Sequence, residues 1–225
     1  MPGLTDRAGG EPPEMGTAVE RAHQAWQASM LRQNDALRSQ VRSREPQNLA
    51  DRCGGTYQDQ KVVLNYWSRL VSLSWPDLSA GEEPDGPALS VFDTAMLLYY
   101  LVSADGSAMT NRWIGYRELP DGAFYANAFQ GYSGNRLAHS FGARPQAYVS
   151  AAQVLGGMLQ DGLPGLAYAF QPLPRIRLAT VLYPGDEEFP ARGSVLFDAA
   201  ASHYMPTDGL ALLGSGIVSR LIKKA

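Results

Sequence analysis

The sequence predicts an α+β fold, on three observations. Apolar residues recur at helical spacing near both ends of the chain, they alternate at strand spacing within 61–75 and 166–197, and helices and strands never settle into a regular βαβ rhythm. The expected architecture is a small mixed or antiparallel sheet, made of the 61–75 hairpin and the late strands 166–197. Helices pack on it, and residues 17–225 form a single domain.

The first sixteen residues, MPGLTDRAGGEPPEMG, are rich in Gly, Pro and acids. That composition predicts a disordered tail, and it lacks the basic start and apolar stretch of a secretory leader. From Thr17 the pattern turns helical: Val19, Ala22, Trp26, Met30, Leu37 and Val41 share one stripe, while Glu20, Arg32, Asp35 and Arg38 lie opposite. Residues 17–44 therefore read as an amphipathic docking helix, with polar Gln33 interrupting its stripe and Glu45 with Pro46 ending it. A short helix over Gln47–Arg52 is expected next, closed by Cys53, Gly54 and Gly55.

Between Lys61 and Trp75 the period shortens. Val63, Asn65 and Trp67 alternate with Val62, Leu64 and Tyr66, and the alternation resumes at Leu70 with Ser72 and Ser74 facing away, which predicts a hairpin turning near Ser68 and Arg69. Pro76 and the 79–87 segment break the chain, Ala88–Ser103 reads as a buried apolar helix, and Asp105 with Gly106 supplies turn chemistry. Pro145–Leu155 has Pro at its first position and Gly156 with Gly157 at its end, as a short helix would. Leu166–Gln171, Arg175–Tyr183 and Ser194–Phe197 are strand candidates. The last helix is expected to begin at Thr207 and Asp208 with a hydroxyl cap, to bury Leu210, Leu213, Ile217 and Leu221, and to end in cations that suit its dipole.

Composition bounds the function. The 225 residues are 45% hydrophobic and 18% charged with a net charge of −3, which describes a globular chain and argues against binding driven by phosphate neutralisation, so no nucleic-acid partner is expected. The most apolar run, Ala88–Ala104, contains Asp93 and falls short of the ~20 apolar residues of a membrane span, so no membrane insertion is expected. A lone cysteine, Cys53, excludes an internal disulfide and points to a reducing, cytoplasmic setting.

Two constellations carry chemistry. The first is acidic: Asp186, Glu187 and Glu188 follow one strand, Asp198 ends the next and His203 lies five residues beyond. Carboxylate oxygens with one imidazole suit a divalent metal or an acid–base pair, and the plainer reading is a solvated turn in which Asp198 bonds backbone amides. The second is aromatic: Trp113, Tyr116, Phe124, Tyr125, Phe129 and Tyr132, interleaved with Arg117, Glu118, Asp121 and Arg136. Rings with a few charges can line a pocket for a flat ligand, and the plainer reading is core packing. Gly131, Tyr132, Ser133 and Gly134 fall one residue short of a nucleophile elbow, and no phosphate loop is present. His23, His139 and His203 are too dispersed for metal-ligand spacing.

Several short motifs stand in order along the chain. They are Gly122, Ala123, Phe124 and Tyr125 with Phe129; Phe141 with Gly142; Gly156 with Gly157; and Leu173, Pro174 and Arg175. After them come the Asp186–Pro190 loop, Leu196, Phe197 and Asp198 followed by His203 and Tyr204, and Pro206 with Thr207. In these the chain resembles a prokaryotic family known as domain of unknown function 3786, over most of residues 45–225. The resemblance implies no established activity. It suggests service to anaerobic redox or corrinoid metabolism, because some such domains look fused to cysteine-rich iron–sulfur modules. This chain has no such module, and it carries Asp208 and Gly209 where the resemblance leads one to expect two acids.

The leading functional expectation is an accessory protein that binds a small ligand or a protein partner, with no cofactor identified. Trp113, Tyr116, Phe124, Tyr125, Phe129 and Arg136 would form one pocket wall with Asp198 and His203. One alternative is a metal-assisted hydrolase using Asp186, Glu188, Asp198 and His203. Another is a structural subunit docking through the N-terminal helix.

Overall fold

A computed structural model of the chain describes residues 31–225. The expected tail, and the part of the docking stripe from Val19 to Met30, lie outside the described residues.

Helix α1 occupies residues 31–42. Its Leu37 and Val41 are buried in the common core, and Asn34 Nδ2 donates to the Val91 carbonyl at 3.1 Å, so this part of the stripe is spent on the protein's own domain. Helix α2, Pro46–Cys53, starts where Pro46 forbids continuation of α1. Glu45 accepts the amides of Gln47 and Asn48, and Gly54 closes the helix at φ 69°, a left-handed conformation that glycine adopts at no steric cost.

Strands β1 (Thr56–Gln58), β2 (Lys61–Tyr66), β3 (Arg69–Ser74) and β4 (Ala80–Glu82) form a four-stranded antiparallel sheet in chain order. The hairpin turns one residue earlier than the alternation predicts. Tyr66 pairs with Arg69, so Trp67 and Ser68 are the turn, at φ 50° and 63°, as a two-residue loop matching strand twist requires. Ser72 stands on the face opposite Val71 and Leu73 as expected, yet it is covered rather than exposed.

Helix α3, Val91–Ser103, is the predicted apolar helix. Ser90 caps it by accepting the Asp93 amide, and Asp93 accepts hydrogen bonds from Ser90 Oγ and Tyr66 Oη, so the charge within the apolar run is fully engaged. Tyr100 ties three elements together: its hydroxyl donates to the Cys53 carbonyl at 2.6 Å and accepts the Arg175 amide at 2.9 Å. Burial pushes this phenol above its ordinary range.

Strand β5 (Trp113–Gly115) precedes a 3-10 turn at Tyr116–Glu118 and helices α4 (Gly122–Tyr132), α5 (Gly134–Phe141) and α6 (Pro145–Val154). Strands β6 (Met158–Leu159), β7 (Leu166–Leu173), β8 (Ile176–Tyr183) and β9 (Arg192–Asp198) then build a second antiparallel sheet in the order β5-β9-β8-β7-β6. The class is α+β. The early hairpin and the late strands fall in two separate sheets rather than one, because β3 takes β4 as its partner and β9 takes β5. One backbone bond, Trp67 N–H to the Pro172 carbonyl at 2.9 Å, joins the sheets at their seam.

A 3-10 turn at Ala201–His203 leads to helix α7, Thr207–Lys223. The predicted stripe Leu210, Leu213, Ile217 and Leu221 is buried, and it completes a single core shared by both sheets. The expected hydroxyl cap is not made: Thr207 is already helical, and its hydroxyl donates to the Pro120 carbonyl at 2.6 Å, tying α7 to the entry of α4. Among the described residues, no helix is long and apolar enough to cross a membrane.

Cys53 is buried, and burial pushes its thiol up to about 11. The thiolate is therefore absent near neutrality. An aromatic disulfide reagent at pH 8 is expected to leave the native protein unlabelled and to react once the chain is unfolded; rapid native labelling would contradict the burial.

Candidate functional site

The turn after β9 is built around Asp198. Its carboxylate accepts the Thr110 amide (3.0 Å), the Thr110 hydroxyl (2.9 Å), the Asn111 amide (2.7 Å) and the Ala200 amide (2.9 Å). Desolvation alone would raise its pKa, but these donors outweigh it and hold the group below the ordinary carboxylate range. With its oxygens turned to these donors, Asp198 acts as the knot between β9 and the loop before β5.

His203 faces the end of α3. Its Nδ1 lies 2.6 Å from Asp105 Oδ2 and 3.2 Å from Ser107 Oγ. The Ser107 amide, with His203 after it, holds Asp105 down to about 2. The neighbouring Tyr204 hydroxyl donates to the Ser107 carbonyl. Asp198 and His203 thus secure the same loop from either end, through different partners.

The two stretches named from the sequence as one pocket are neighbours. Trp113 pairs with Asp198 across β5 and β9. Their side chains divide between core and surface, however. Tyr116 stacks on Phe129 with centroids 4.2 Å apart, Phe197 tilts against both, and all three are buried. Arg177 covers the Trp113 ring at 5.3 Å. Phe124 and Tyr125 are exposed, at 85% and 60%, and Arg136 reaches out to Ser219 at 3.3 Å. Between the stretches lies an open cleft of about 380 Å3, where Tyr125 and Asp121 face Ser202, Met205 and Asp208. Tyr125 alone of the named residues lines it.

The acidic loop closes on itself. Asp186 Oδ1 accepts the amides of Glu188 (2.9 Å) and Phe189 (2.7 Å), an arrangement that shapes a turn, and Asp186, Glu187 and Glu188 are exposed. Asp198 is buried and committed elsewhere, and His203 is held by Asp105. Among the described residues, no group of three or more His, Cys, Asp or Glu side chains could hold a metal ion.

A different concavity stands out. Where the hairpin turn meets β7 and α7, a groove of about 540 Å3 opens between Trp67, Leu155, Met158, Phe170, Ile217 and Arg220. Arg220 lies over the Trp67 ring, 4.0 Å from its centroid, and exposed Val154 and Met158 form the lip. The sequence held two signals for this place. A tryptophan in a tight turn is unusual, since such positions favour Gly, Asn and Asp. An arginine in the last turn of an apolar helix reads first as a partner of the helix dipole, which concealed its second role.

A comparison with protein-family models finds a match over residues 45–220 to a domain of unknown function, DUF3786. No curated protein and no solved structure matches the chain.

Proposed function

We propose, for a chain that belongs to the DUF3786 family, a non-catalytic accessory role in the cytoplasm: binding a small ligand in the groove between the two sheets. The observation that carries this reading is the groove itself. Its volume, about 540 Å3, falls in the range of about 300–1,000 Å3 usual for small-molecule sites, and it lies at a seam between sheets with walls of mixed polarity, the apolar part supplied by Trp67, Leu155, Phe170 and Ile217. Trp67 supports it. The hairpin turn sets its ring at the groove, where its amide donates to the Pro172 carbonyl and Arg220 stacks on its face.

The redox or corrinoid setting implied by the family resemblance belongs to this proposal and adds a readout. Protein purified from its native host is expected to retain a small-molecule mass under native mass spectrometry, and a coloured ligand would show in its visible spectrum. Val154→Trp, which fills the groove at an exposed lip, is expected to abolish retention without loss of stability. Ligand-free protein from the host, or retention unaffected by Val154→Trp, would remove the reading.

A further inference from the structure

The groove carries one ionised side chain. Arg220 alone of its lining residues is charged, and among the described residues no carboxylate forms an ion pair with it. Among the described residues its only hydrogen bond is a long one, 3.5 Å from Nη1 to the Gly216 carbonyl. Asp93 shares a second, smaller cleft with Trp67 and Arg220, but its oxygens are taken by the Tyr66 and Ser90 hydroxyls at 2.8 and 2.9 Å. A half-buried guanidinium with one face on an indole keeps its in-plane N–H donors for another acceptor, and a carboxylate matches that fork.

The rest of the lining narrows the class. Leu155, Met158, Phe170 and Ile217 form an apolar stretch beside polar Ser68 and Gln171, and that stretch suits a hydrocarbon or aryl body. Val154, Leu155 and Gly156 belong to the C-terminal end of α6, where the helix dipole is negative, and Arg220 stands in the last turn of α7. The two negative helix ends repel a phosphate dianion about twice as strongly as a single negative charge, so with one cation present a monoanion is the better match.

We infer that the groove takes a free apolar monocarboxylic acid, its carboxylate on the edge of Arg220 and its body along Phe170 and Ile217. This rests on the groove reading above and adds the chemical class of its ligand.

The test is calorimetric titration of the full chain with 4-phenylbutyrate, with its neutral amide, and with a short peptide ending in Leu-Phe with a free C-terminus. The acid is expected to bind about tenfold more tightly than the amide, as one charge-assisted bidentate contact allows. Arg220→Gln is expected to remove that preference and leave amide binding in place. Should Arg220→Gln fail to fold, Met158→Asp at the exposed lip is expected to weaken the acid and spare the amide. Equal affinity for acid and amide overturns the inference while leaving the groove reading standing; absence of binding by either overturns both. Binding of the peptide without the free acid also overturns it, in favour of a protein partner's chain end.

Discussion

Asp198→Ala is expected to lower the unfolding free energy by about 2–3 kcal/mol, the magnitude reached when a carboxylate that accepts several hydrogen bonds is removed. The residue is 1% exposed, and three amides and a hydroxyl converge on its carboxylate. Removing it leaves the Ala200 amide without its acceptor in a buried site and releases Thr110 and Asn111, which hold the exposed loop before β5. Asp198→Asn keeps the shape but presents an NH2 group where an amide already points, so roughly half the loss is expected. Urea unfolding with an unchanged slope reads both variants, and a loss below about 1 kcal/mol for alanine would refute the account. The sign with pH follows from the lowered folded-state pKa. The contribution is complete above the ordinary carboxylate value, about 3.9, and is lost as the pH falls below it, whereas a raised pKa would act in the opposite sense. On this reading Asp198 organises the chain.

Gly193→Ala is expected to cost about 3 kcal/mol through overpacking. A Cβ at Gly193 would lie 2.5 Å from the Gly134 carbonyl, and one at Gly134 would lie 2.3 Å from the Gly193 carbonyl. Helix α5 therefore rests backbone to backbone on β9, and Gln130 Nε2 donates to the Gly193 carbonyl at 2.9 Å in the same contact. Neither carbonyl can retreat without moving a helix or a strand. Gly131→Ala is the control: nothing lies within 4 Å of its added methyl, and it sits within α4, so a neutral or slightly stabilising effect is expected. Equal effects of the two substitutions on the urea midpoint would show that close approach is not the cause.

Elements with a clean period were legible. The stripe of α7, the apolar α3, the alternation of β2 and β3, and the Pro46 and Gly54 boundaries of α2 all follow from local rules. Helices α4 and α5 were not legible. In α4 the aromatics Phe124 and Tyr125 face solvent while Phe129 and Gly122 face inward, so no stripe marks the helix. Strands β1, β4, β5 and β6 run two or three residues, too short for any period, and exist because a neighbour offers hydrogen bonds. The aromatic and acidic residues named as candidates were visible as chemistry. Stacking of Tyr116 on Phe129 was not, since it depends on the turn that brings α4 back over it, and neither were the donors of Thr110 and Asn111 on Asp198, which lie far from it along the chain.

The sequence alone determined the α+β class, the extent of its main helices and hairpin, and membership of the family over residues 45–220, because each rests on periods and motifs within short windows. Tertiary structure alone decided that the strands form two sheets, that Asp198, Tyr116 and Phe129 are built into the frame while Asp186, Phe124 and Tyr125 face solvent, and that Trp67 and Arg220, 153 positions apart, meet across a groove. The physical reason is that burial and pairing are properties of a residue's surroundings. A carboxylate reads the same in the chain whether three amides and a hydroxyl or open solvent await it.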